Sequence, residues 1–153
     1  MSDKVIIADT SCLIALKDIN NLKLLNLVYN KITITPEIEA EFGESLPEWI
    51  IVEEVSDKKK ISLLELELDK GESSAIALAI EEKDSLLIID EKKGRKVAKK
   101  MGLKITGLLG VVVKAKENGL IEKVKPIIED LENVEFHISK ILKEKILNRV
   151  NEK

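Results

Sequence analysis

The chain has 153 residues, 44% of them hydrophobic, with 28 acidic against 25 basic side chains and a net charge of −3. That length suits one compact domain with a substantial core, and the charge excludes a uniformly basic nucleic-acid coat. A single cysteine, Cys12, and a single histidine, His137, exclude a disulfide framework, a cysteine-based zinc site and a histidine-rich metal centre. Any metal is then a hard cation on oxygen ligands, with Mg²⁺ or Mn²⁺ first.

The N-terminal apolar run VIIA is too short for a signal-peptide core. Lys or Glu interrupts every apolar run before the roughly 18 residues of a membrane helix. The expected location is the cytoplasm.

Taken in order, residues 4–8 read as a β-branched strand, and Asp9, Thr10 and Ser11 follow it with side chains suited to capping a helix. Leu13, Ile14 and Leu16 begin that helix, and Leu22, Leu24, Leu25, Leu27 and Val28 make a second. Residues 32–35 alternate like a strand, and Pro36 fits the first turn of a helix carrying Glu37, Glu39 and Glu41. Residues 50–55 read as a strand, whereas 58–68 fits a helix or an extended segment. Gly71 precedes a helix that is apolar around most of its circumference over 75–80.

Residues 85–89 carry a continuous apolar LLII run, the pattern of a central parallel strand buried on both faces. A helix over 93–101 ends at Gly102, a brief strand follows over 103–105, and a helix over 108–117 closes at Asn118 and Gly119. A further helix is expected over 121–131, with Pro126 near its start or at a kink. The tail over 139–150 is amphipathic, with Ile141, Leu142, Ile146 and Val150 on one face. Strands alternating with helices predict right-handed crossovers and a mainly parallel sheet.

Asp9, Glu41, Glu72 and Asp90 with Glu91 each fall where a strand meets a helix or a helix begins. A parallel sheet can gather such positions because the ends of its strands lie along one edge. Carboxylates gathered there hold a hard cation with coordination positions open for phosphate and water. In-line attack on a phosphodiester is the natural reaction. Immediately after the last acids come Lys92, Lys93, Arg95, Lys96, Lys99, Lys100 and Lys104, which could receive the flanking phosphates of a polyanion.

Each residue also has a plainer role. Asp9 and Asp90 could cap the helices that follow, Glu41 could be a solvated helical glutamate, and Glu72 could oppose a helix dipole. The lysines could be a solvated helix face. His137 reads as an incidental surface or partly buried residue, Cys12 as core, and Trp49 and Tyr29 as core or partner contacts. Gly107 and Gly110 in TGLLG lack the GK[ST] element of a phosphate loop.

The segments VIIADTSCLIAL, ITITPEIEAEF, LDKGESSAIALAIE and LLIIDEKKGRKVAKKMGLKITGLLGVVVKAKENGLI, in this order, resemble a PIN (PilT N-terminus) domain. They are most similar to a small prokaryotic group with a GE-containing third motif. The resemblance runs from about residue 4 to about residue 130. It implies a three-layer α/β/α sandwich; length and the amphipathic tail make this one domain over 1–153, with 138–153 a C-terminal helix. The resemblance also implies Asp9, Glu41, Glu72 and Asp90 as catalytic and metal-binding acids, with Thr10 and Ser11 in support and Glu91 as a substitute for the fourth acid; the local charge separately points Lys92, Lys93, Arg95 and Lys96 toward nucleic acid. Glu72 stands where most such nucleases have aspartate. The implied activity is Mg²⁺- or Mn²⁺-dependent cleavage of RNA, in many small relatives as a toxin inhibited by a small antitoxin, and homodimerisation would also resemble the family.

Two other classes remain. The chain could hold nucleic acid in this fold without cutting it, or it could be a phosphate-responsive receiver. A receiver needs an acid pair near the first strand, and none follows strand one here.

Overall fold

The computed structural model describes residues 4–153. Five strands form one parallel sheet in the order β3-β2-β1-β4-β5, where β1 is Val5–Ala8, β2 Ile32–Ile34, β3 Ile50–Val52, β4 Ser85–Ile88 and β5 Ile105–Thr106. The helices are α1 (Thr10–Asp18), α2 (Lys23–Tyr29), α3 (Pro36–Phe42), α4 (Lys58–Leu64), α5 (Lys70–Glu81), α6 (Lys92–Lys100), α7 (Leu108–Glu117), α8 (Lys125–Asn133) and α9 (Lys140–Arg149). They flank the sheet in a three-layer α/β/α sandwich, in which α5 packs on α3 and α4 and α2 packs on α7.

The chain runs outward from β1 to β2 and β3, then crosses to β4 on the other side of β1. The strand order therefore reverses between β1 and β4, the switch point outside whose carboxyl ends such sheets bind ligands. Register is fixed by parallel pairing of Val5 with Ser85 through Ala8 with Ile88. Ile7, Ala8, Ile32, Ile34, Leu87 and Ile88 are fully buried, as strands covered on both faces require. Edge strand β3 is less covered and leaves Ile51 and Val52 exposed.

Several expectations shift for identifiable reasons. Residues 58–64 resolve as helix, capped by the Asp57 side chain accepting from Lys59 N–H. Strand β3 stops at Val52, beyond which only Glu53 N–H reaches Ile34 O. Gly71 lies inside α5, whose N-cap is Asp69. Strand β5 is two residues later at its start, because Leu103 N–H turns back to Ala98 O and pairing begins at Ile105 with Leu87.

Helix α8 starts at Lys125 and not at 121. Pro126 has no N–H for the carbonyl of Glu122, which accepts from Lys116 Nζ instead. Helix α9 is shorter than 138–153, with Ser139 as its cap, and it docks through Ile146, Leu147 and the adjoining Val150. Ile141, expected on that buried face, is 78% exposed, and Leu142 is exposed as well.

Ile7, at the centre of the sheet, tests the core. Replacing Ile7 with Ala should cost about 2–5 kcal/mol in urea unfolding, while Leu66→Ala, at an exposed position, should stay within about 0.5 kcal/mol.

Candidate active site

Asp9 follows β1 directly, and its N–H donates to Ile88 O of β4 at 3.0 Å. The side chain is 4% exposed and occupies the N-cap position of α1, yet makes no capping hydrogen bond. The carboxylate therefore faces its neighbours instead of closing the helix. Burial pushes its pKa up to about 7, the charges of Asp69, Glu41 and Asp90 add to the rise, and the backbone at Thr10 partly offsets it.

Glu41 arrives from the last turn of α3 and lies at the exposed rim, where Thr10 Oγ1 donates to its Oε1 at 2.5 Å. Helix α5 approaches this carboxylate closely only because residue 71 is glycine: a Cβ there would stand 2.0 Å from Glu41 Oε1. A buried hydroxyl relay fixes the two helices against each other. Ser74 Oγ donates to Gly71 O at 2.8 Å, and the Thr35 hydroxyl, 2.7 Å away, donates to Ser74 while accepting from Ile38 N–H.

Glu72 and Asp69 form a capping box at the start of α5. Asp69 Oδ1 accepts from Glu72 N–H at 2.8 Å, and Glu72 Oε1 accepts from Asp69 N–H at 3.3 Å. Glu72 is 6% exposed, and burial, then the charges of Asp69 and Asp9, hold its carboxyl well above the usual range. Asp69 was missed by the sequence reading, although its signal was present: Asp-x-x-Glu immediately before an apolar helix.

Asp90, just past β4, is half-buried and does not cap α6. Both its oxygens lie 3.1 Å from Leu108 N–H at the start of α7, and a Cβ on Gly107 would approach Oδ1 to 2.6 Å. Burial raises its pKa against the opposing pull of Leu108 N–H and Arg95. The cap of α6 is Glu91, which accepts from Gly94 N–H at 2.7 Å; that bond holds its pKa down.

Asp9, Glu41, Glu72 and Asp90 thus come to one edge of the sheet, with Thr10 beside them and Ser11 turned to solvent. Lys92, Lys93 and Lys96 are exposed on α6. Arg95 differs from them: it is half-buried and its guanidinium donates to Ile89 O at 2.7 Å. Among the described residues, none of the four acids has a cationic partner within 4.0 Å.

The donors suit a hard divalent cation chemically, being carboxylate oxygens, of which those of Asp9 and Glu72 belong to buried residues with no cation within 4.0 Å among the described residues. Among the described residues no three acid, imidazole or thiol side chains already close on one point. Three of the four acids are tethered by their own donors, Glu41 by Thr10, Glu72 by Asp69 N–H and Asp90 by Leu108 N–H, while the Asp9 side chain caps nothing.

A parallel sheet with carboxylates at its switch point defines an α/β protein with an acidic edge. The chain belongs to the PIN domain family, whose model matches residues 5–152. PIN domains are generally nucleases, typically with divalent metals. No curated protein and no solved structure matches the chain significantly. No helix among the described residues is long and apolar enough to cross a membrane.

The raised Asp9 pKa makes a signed prediction. Between about pH 4 and about pH 7 the folded chain holds a proton on Asp9 that the unfolded chain has lost, so this group favours folding below that window and its contribution is lost as pH rises through it. Asp9→Asn should match wild type near pH 4 and exceed it near pH 8 by on the order of 3 kcal/mol, measured by thermal unfolding in chelator. Added Mn²⁺ should raise the wild-type Tm at pH 8 more than that of the variant.

Proposed function

We propose that this chain is an endoribonuclease that hydrolyses RNA phosphodiester bonds at the acids of the switch point, using Mg²⁺ or Mn²⁺. The observation that carries the reading is Asp9, a buried carboxylate without a cationic partner, set beside Asp90 by strand pairing. Asp9, Asp90 and Glu72 would hold the ion, with Glu41 at the rim. When bound, it supplies Lewis acidity for the attacking water and neutralises charge developing at phosphorus. Thr10 orients Glu41, and Asp69 orients Glu72 through the capping box. The exposed Lys92, Lys93 and Lys96 would meet phosphates of the same strand away from the scissile bond.

The resemblance extends this reading to a cytoplasmic toxin with a small antitoxin partner, and to a homodimer. A second reading, a PIN-fold module that binds nucleic acid and cuts weakly or not at all, is favoured by the separate tethering of the acids.

Labelled single-stranded and structured RNA should be cut with Mg²⁺ or Mn²⁺ and spared in EDTA. Asp9→Asn and Asp90→Asn, still folded by circular dichroism, should cut at least about 100-fold more slowly. Equal cutting by both variants would remove the acids from the reaction, and binding without cutting by wild type would favour the second reading.

A further inference from the structure

A groove of about 830 Å³ runs between α7 and α9, and Asp90 stands at its edge. Its volume lies in the range of pockets that enclose compact organic ligands, about 300–1,000 Å³. The backbone of Gly107 and Gly110 forms part of the lining, and the missing side chain at Gly107 lets Asp90 Oδ1 and Arg95 Nη1 come close to it, at 2.6 and 3.3 Å from where a Cβ would stand. One wall is apolar and reaches solvent, with Phe136 half-buried, Leu142 43% exposed and Ile146 beneath.

The lining charges favour an anion once Asp90 is committed to the acid site. Arg95, Lys114 and Arg149 are the cations; Glu117 is the remaining carboxylate and is already bonded to Arg149 at 3.1 Å. Arg95 is steadied by Ile89 O, and Lys114 Nζ lies 5.0 Å from the centroid of the Tyr29 ring. Exposed His137 completes the polar side.

We propose that this groove seats the nucleotide adjoining the scissile phosphate, with its base against Phe136 and Leu142 and its phosphate toward Arg95; this rests on the ribonuclease reading. A strand whose phosphate lies at Asp90 must leave the site somewhere, and the groove begins at that residue. Apolar walls accept the face of any base, and the guanidinium and ammonium groups meet the backbone. The lysines of α6 are exposed on a helix surface, whereas the groove adds an apolar wall, so the base contact belongs to the groove and tolerates any base.

The test has a binding arm and a chemical arm. Short fluorescent single-stranded RNA is titrated by anisotropy onto the full chain carrying Asp9→Asn, with and without Leu142→Glu or Phe136→Ala. The same groove changes in the otherwise wild-type chain are assayed with Mn²⁺ on bis(p-nitrophenyl) phosphate, a phosphodiester with no flanking base. Each groove change should weaken RNA binding about tenfold and leave hydrolysis of the small ester unchanged. Leu142 is exposed enough that its variant should fold even if Phe136→Ala does not.

RNA affinity indifferent to Leu142→Glu would overturn the proposal while the ribonuclease reading stands, and is the result expected if a protein segment occupies the groove. An equal loss in hydrolysis of the small ester would overturn it too, since the change would then act on the acids. Absence of RNA binding by the parent chain, together with no hydrolysis of the small ester, would remove both readings.

Discussion

The parallel pairing of β1 with β4 is the constraint on which the rest depends. It places Ala8 opposite Ile88, so that Asp9, one residue on, and Asp90, two residues on, both emerge at the carboxyl ends of adjacent strands from a sheet whose interior is apolar. Carboxylates there cannot retreat to solvent, and their charge is penalised by burial before any neighbour acts on it. The hydrogen bond from Asp9 N–H to Ile88 O makes this placement a property of the ladder and not of a loop.

Around that pair the helix termini serve as supports. The start of α7 meets Asp90 through Leu108 N–H, and the start of α5 carries Glu72 in a capping box. Amide dipoles at helix N-termini favour negative charge, which offsets part of the cost of gathering acids. Gly71 and Gly107 allow these helices to approach the carboxylates within distances that a Cβ would forbid. The Thr35–Ser74–Gly71 relay then locks α3 to α5, and so Glu41 relative to Glu72.

This arrangement makes the acids of the switch point a cost to stability at neutral pH. Buried like charges lower stability at neutral pH, and a divalent cation at the same carboxylates reverses that sign. PIN domains typically use divalent metals, and burial raises the pKa of Asp9, Glu72 and Asp90 here. A groove with an apolar wall opens beside Asp90 and is lined by Arg95, Lys114 and Arg149.

The sequence by itself determined the alternation of strands and helices, the parallel sheet and the placement of four acids at strand ends and on helices, because apolar period, β-branched runs and cap residues are local signals. It left Asp69 unassigned, although Asp-x-x-Glu was present, since a capping box becomes part of a site only when its helix is aimed at other acids. It placed 121–124 in a helix because apolar period does not register a missing N–H four residues on, and it put Ile141 on a buried face because period does not say where a docking surface ends. Which oxygen each acid's donor takes, that Glu91 and not Asp90 caps α6, that Arg95 turns inward from the α6 lysines, and that a groove opens at Asp90 were decided only by tertiary structure. These depend on contacts between residues far apart in the chain, such as Thr10 with Glu41 and Asp90 with Leu108, which no local pattern contains.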